Sequence, residues 1–209
     1  GSLSGSKGPL QINGNATATY TGTTAGAGTA TATVDSGPAV ANITVNKANT
    51  TTALGSSANP SVFGQSVTFT ATVSVTAPGA GSPTGNVSFK DNGTNIGACA
   101  AQTVTANVAT CTISSLSVAS HPITAVYNGD ANFNASPASN TVNQVVDQAG
   151  TTTSITSDSP DPSTNGQAVT VNYTVSVTSP GSGTPTGNVT VSDGVDQCVG
   201  TVAAGTCNI

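Results

Sequence analysis

Residues Asn59–Asp91 read NPSVFGQSVTFTATVSVTAPGAGSPTGNVSFKD, and residues Asp161–Asp193 read DPSTNGQAVTVNYTVSVTSPGSGTPTGNVTVSD. Gly64 and Gly166 stand 102 residues apart, and so do Gly85 and Gly187. A self-similarity at one fixed offset sets the architecture before any single element does. A period of about 100 residues is too long for a solenoid unit and matches one β-sandwich domain. Within the stretch, Val67, Phe69, Ala71, Val73 and Val75 alternate with Thr and Ser, as on a strand with one buried face. Val87 and Phe89 point inward on the next strand, before a turn at Asp91-Asn92-Gly93.

Working outward, composition limits what such a domain is built from. Only 5% of the 209 residues are charged and 3% are aromatic, so the core must come from Val, Ile, Leu, Phe and Tyr of modest number. High Ser, Thr and Gly with low charge is also the composition of disorder. The Val/Thr alternation argues against disorder, because β-branched side chains fit a pleated, half-buried surface. Net charge is −5, from 8 acidic against 3 basic side chains. With no basic patch, partnership with nucleic acid or an anionic membrane surface is not expected. No run is long and apolar enough to cross a bilayer, and no signal peptide is visible.

Four cysteines allow three pairings. The repeat selects one: each pair follows the TGNV strand of its copy, and Cys111-Thr112-Ile113 aligns with Cys207-Asn208-Ile209. The expectation is one short disulfide per module, Cys99–Cys111 and Cys198–Cys207, made in an oxidising compartment. A pair of zinc sites would need CxxC spacing or clustered His, which the sequence lacks.

Taken in order, residues 1–10 read as a flexible leader. Asn15–Tyr20, Thr29–Val34 and Val40–Val45 read as three short strands separated by Gly and Asp-Ser-Gly-Pro turns. Three-threonine runs at Thr50 and Thr151 each open a module behind a short linker. Roughly seven strands are expected between Thr50 and Val146, with Leu116, Ile123, Ala125 and Tyr127 continuing the core and Val142 and Val145 on the closing strand. The resulting division is 1–47, a leader plus the C-terminal half of a module; 48–147, a complete module; and 148–209, the N-terminal half of a third. Junctions near Lys47–Thr50 and Val146–Thr151 are expected to carry few contacts.

The motifs TTT, NPS, GQSVTFTATV, SPTGNVSFKDNG and ITAVYNGDANF resemble the bacterial immunoglobulin-like repeat domains. The likeness spans the central module and the first half of the next. TATATV at 29–34 is similar to ITAVY at 123–127, so residues 15–45 resemble the last strands of such a domain. The resemblance implies an all-β fold of tandem sandwiches, one complete and two partial, used as spacer, stalk or adhesive arm. It brings no catalytic residues.

Other constellations read as local structure. His121 is the only histidine, and a Ser-His-Asp arrangement needs an orienting carboxylate and a nucleophile elbow that the sequence does not display. Asp158, Asp161, Asp193 and Asp196 could gather around calcium, but Asp158-Ser159-Pro160-Asp161 is explained by a turn. Tyr127-Asn128-Gly129-Asp130 reads as a tyrosine corner and tight turn rather than a ligand loop. Lys47 and Lys90 raise intramolecular isopeptide chemistry, for which Lys90 stands out of phase with Val87 and Phe89. Eight N-x-S/T sequons, at Asn15, Asn42, Asn49, Asn86, Asn92, Asn134, Asn172 and Asn188, mark glycan acceptors only in a glycosylating host.

The function expected is structural, not enzymatic and without a cofactor: an extracellular or cell-surface stalk or fibre module. The alternative is an adhesin or carbohydrate-binding arm, which three Tyr, four Phe and no Trp support poorly. The partners expected are neighbouring modules and the chain itself. In the self-association, strands holding Asn15, Tyr20, Thr29, Val34, Val40 and Val45 complete the 151–209 half of another copy, head to tail.

Overall fold

The computed structural model describes residues 2–3, 20–34 and 37–209, so Asn15 lies outside the described residues and only the backbone is described at Tyr20 and Val34. The strands are β1 (Ser2–Leu3), β2 (Tyr20–Thr21), β3 (Gly26–Val34), β4 (Gly37–Val45), β5 (Thr50–Ser56), β6 (Ser61–Val62), β7 (Val67–Val75), β8 (Asn86–Asp91), β9 (Thr94–Asn95), β10 (Gln102–Thr103), β11 (Val108–Ile113), β12 (Ser120–Tyr127) and β13 (Val142–Asp147). They continue as β14 (Thr151–Ser159), β15 (Thr170–Val177), β16 (Asn188–Ser192), β17 (Gln197–Thr201) and β18 (Thr206–Asn208). A 3-10 turn at Gly97–Cys99 is the only helical element among the described residues. The fold is all-β, as the alternation requires.

One sheet has the order β11-β7-β5, and another β10-β8-β12-β13-β6 with β9 added to β8. Further along lie a β14-β15-β18 sheet and a β16-β17 pair, and near the start β3 pairs with β4. By compactness the chain divides into two units. The first is Gly1–Gly55, Phe69–Cys111 and Ile123–Val142; the second is Ser56–Thr68, Thr112–Pro122 and Asn143–Ile209.

In the first unit, Phe69, Ala71 and Val73 of β7, Val87 and Phe89 of β8, Ala109 and Cys111 of β11, and Ile123, Ala125 and Tyr127 of β12 are buried together. These are sandwich faces with period two. The polar stretch Asn134–Asn140 laces β5 to β12. Thr50 Oγ1 donates to Asn134 O, Thr52 Oγ1 meets Ser136 Oγ at 2.7 Å, and Asn140 both accepts from Leu54 N and donates to Leu54 O. On its other side Ser136 accepts from Tyr127 N, and Ser139 accepts from Ala125 N. β3 and β4 form a regular hairpin, paired from Gly26–Val45 to Val34–Gly37, so two of the three early strands are where the sequence puts them. Ser2–Leu3 pairs with Tyr20–Thr21, where the sequence suggests a flexible leader.

In the second unit, β14 pairs along its length with β15, and β15 with β18. Val171 and Tyr173 are buried there, and the Tyr173 hydroxyl donates to Thr201 O. Val142 and Val145 both lie on the closing strand β13, as expected. Val142 and Val145 cannot share a face, because they stand three residues apart on an element of period two. Gln144 and Val146 are the buried pair, and Val145 is exposed. Gln144 is fully buried with its amide occupied: it accepts from Ser56 Oγ at 2.7 Å and donates to Ala58 O at 2.8 Å and Ser61 Oγ at 3.1 Å. Leu116 is half-buried rather than part of the core.

Candidate functional site

The densest polar constellation among the described residues follows β12. Tyr127 ends that strand buried, and Gly129 turns the chain at φ +82°, where a Cβ would lie 2.9 Å from Ala135 N and 3.0 Å from Phe133 O. Only glycine fits this left-handed turn. The turn aims Asp130 back at its own loop and at Thr84. One carboxylate oxygen accepts from Asn132 N at 2.8 Å and Phe133 N at 2.9 Å; the other accepts from Thr84 N at 2.8 Å and Thr84 Oγ1 at 2.6 Å. Burial works to raise the Asp130 pKa, but these donors outweigh it and hold the carboxyl well below the usual range. Burial, reinforced by the neighbouring Asp130 charge, pushes the Tyr127 hydroxyl far above its ordinary value.

The same loop grips the segment entering β5. Lys47 Nζ donates to Asp130 O at 2.6 Å, Ala48 N to Asn132 O and Asn134 N to Ala48 O, both at 2.9 Å. Ala25 N donates to Asn132 Oδ1 at 2.9 Å. The buried Phe133 ring rests against Gly81, where a Cβ would stand 3.1 Å from the ring. A cleft of about 610 Å³ lies beside it, lined by Thr21–Ala25, Val45–Asn49 and Thr76–Ser82. Four donors already converge on Asp130, so its lone pairs serve the loop rather than a ligand. The tight-turn part of the reading of residues 127–130 describes this arrangement better than a ligand loop. The hydroxyl-to-backbone bond of a tyrosine corner is not made: the buried Tyr127 hydroxyl has no hydrogen-bond partner among the described residues.

The other candidates take local roles. Asp193 Oδ1 accepts from Val195 N and Asp196 N, both at 2.8 Å, and these bonds lower its pKa. Among the described residues no three His, Cys, Asp or Glu side chains gather as metal ligands would. His121 Nε2 lies 3.0 Å from Ser117 O and 3.4 Å from Ser117 Oγ. Lys47 is exposed and holds a backbone carbonyl, which is not the buried setting isopeptide chemistry needs. The four cysteines pair as Cys99–Cys111 and Cys198–Cys207, with Cα atoms 5.6 and 5.9 Å apart. Of the strand-complementation residues, Thr29, Val34, Val40 and Val45 lie on the β3–β4 hairpin and Tyr20 on β2. Sequence reasoning missed Gln144 and Asn140. Their only signal is an amide at a core phase of a strand or beside one.

Residues 54–147 match the bacterial Ig-like domain (group 3). Over that stretch the chain is similar to a bacterial Ig-like domain. No curated protein and no solved structure matches it. The Asp130 loop and the Asn134–Asn140 lacing both lie inside this matched stretch, and they strengthen the sandwich itself. Domains of this family suggest a surface or extracellular module. Two disulfides fit that location, and among the described residues no helix is long and apolar enough to cross a membrane.

Proposed function

We propose that the chain is a structural segment of an extracellular protein, a stalk or fibre in which Ig-like sandwiches follow one another. The observation that carries this reading is the direction of the polar side chains. Asp130, Asn132, Asn134, Ser136, Asn140 and Gln144 all turn onto the chain's own backbone and tie the module and its entering segment together. The matched stretches 59–91 and 161–193 support succession of modules. The test is a glycan array together with electron microscopy of the purified chain. Rod-like particles without glycan binding are expected. Saturable binding to one glycan class would replace this reading with an adhesive arm.

A second element of the proposal is self-association by strand addition. Its support is that β3 and β4 pair only with each other among the described residues, as do β16 and β17. In the matched stretch β8 carries β12 on one edge, Tyr127 opposite Val87 and Ala125 opposite Phe89. Val189 and Val191 of β16 occupy the sequence positions of Val87 and Phe89 but are only half-buried. The β3–β4 hairpin of a second copy is a strand pair of the β12–β13 kind and suits that edge. Such a contact is head-to-tail and propagates. Light scattering across a concentration series tests it. Mass rising with concentration, and abolished by deleting residues 15–45, is expected; a monomer at all concentrations refutes it.

A further inference from the structure

The second unit contains a contact between the Val62–Gln65 turn and the Gly181–Thr184 loop. The turn is fixed from within: Gln65 N donates to Val62 O and Val62 N to Gln65 Oε1, each at 3.0 Å, while Phe63 N donates to Asp147 O at 2.8 Å. The loop is fixed too: Thr178 N donates to Gly150 O at 2.8 Å and Gly181 N to Thr178 O at 3.1 Å. Between the anchors at Asp147 and Gly150 run only Gln148 and Ala149. Ser182 then bridges the two, its amide donating to Phe63 O at 3.2 Å and its hydroxyl to Gly64 O at 2.9 Å. The Phe63 ring lies over Gly183, where a Cβ would stand 3.2 Å from it. Phe63, Val118, Ala149, Val177 and Pro185 line a crevice of about 250 Å³ at this place.

The repeat shows which residues are special to the contact. At the 102-residue offset Phe63 corresponds to Asn165, and Ser182 corresponds to Ala80. Phe63 and Ser182 therefore each occur in the copy where they are used and are replaced in the other, while Gly64 and Gly183 recur as Gly166 and Gly81. Gly64 and Gly166 have the same left-handed backbone, at φ +78° and +79°. A Cβ on Gly64 would meet Ser182 O at 2.6 Å and Ser182 N at 2.8 Å, whereas a Cβ on Gly166 would meet nothing within 4 Å.

We propose that Phe63 and Gly64 on one side and Ser182 and Gly183 on the other form a keyed latch that closes over the Gln148–Ala149 linker and stops it swivelling. Segments joined by short linkers move by default unless a specific contact holds them. This latch consists of two hydrogen bonds and one ring against a glycine, and only this pairing of copies supplies both Phe63 and Ser182.

The experiment is hydrogen exchange on the full chain, read at the Ser182 amide. The unmodified protein is expected to protect that amide. Gly64→Ala and Phe63→Asn are each expected to speed its exchange by about tenfold or more, because local opening sets the rate. Gly166→Ala introduces the same left-handed strain without the clash and is expected to leave Ser182 unchanged. The amide of Tyr173, bonded to Gly205 O at 2.8 Å, reports whether the unit stays folded in every variant. Ser182 exchanging at the free-chain rate in the unmodified protein overturns the latch. So does an equal response to Gly64→Ala and Gly166→Ala with Tyr173 protected. If Gly64→Ala does not fold, Phe63→Asn decides alone.

Discussion

Replacing Gln144 by Ala tests how this sandwich is held. Gln144 is 0% exposed, and its amide joins Ser56 Oγ, Ala58 O and Ser61 Oγ. Three lost hydrogen bonds at a net of about 1 kcal/mol each give about 3 kcal/mol. The vacated volume adds about 1 kcal/mol. Ser56 Oγ still reaches Ala58 O at 3.2 Å, which returns part of the loss. The expected destabilisation is about 3 kcal/mol, or about 12–24 °C in melting temperature for a domain of this size. The chain has no Trp, so melting is followed by far-ultraviolet circular dichroism and checked by urea titration. Gln144→Leu fills the space without the amide and should recover the cavity contribution only. A Gln144→Ala loss below about 1 kcal/mol would refute the claim that buried amides brace the domain, since unsatisfied buried partners cost at least that.

Replacing Cys99 and Cys111 together by Ala should cost about 2.8 kcal/mol by loop-closure entropy for their separation of 12, and the Cys198/Cys207 pair slightly less for a separation of 9; denaturant melts of the two double variants check the order. Asp130 has a folded pKa below its unfolded value near 3.9, so it contributes stability above that pH and loses it as pH falls through the folded value. Acid titration of Asp130→Asn should therefore show lower stability at neutral pH and a flatter loss below about pH 4 than the unmodified chain. Leu54 is 7% exposed and Ile155, its counterpart after the second threonine run, is 63% exposed. Leu54→Ala should cost about 2–4 kcal/mol and Ile155→Ala under about 0.5 kcal/mol in paired urea titrations.

The strands with strict alternation were legible because period two leaves little choice. Val67, Phe69, Ala71 and Val73 all face inward, as do Val87 and Phe89. The cysteine pairing was legible because the repeat removes the ambiguity that four cysteines carry. At β13, VNQVVD offers Val at both phases, and the burial of Gln144 is decided by Ser56, Ala58 and Ser61, which lie more than 80 residues away. The lacing role of Asn134–Asn140 was hidden for the same reason: its partners on β5 are more than 80 residues distant, and a Ser/Asn/Pro run between two strands reads as a loop. The Asp130 loop was half legible. Asn-Gly-Asp announces a turn, but nothing local announces that Thr84 and Lys47 converge on it.

The composition and the lacing explain one another. With four Phe and three Tyr in 209 residues, the apolar face of the sandwich is thin, and small β-branched side chains bury little area each. The chain compensates with hydrogen bonds placed where water is excluded, Thr52 on Ser136 and Gln144 on Ser61, and adds one from the exposed Asn128 to the buried Ser88, whose hydroxyl bonds Ala100 O. Each is worth little net, but leaving any one half-made is costly, so the set behaves as an all-or-none fastening. A polar fastening of this kind needs long-range partners, here β5 with the stretch before β13 and β8 with the loop after β12. It therefore ties the first strand of the domain to its last, and the abundance of Thr, Ser and Asn is what builds it.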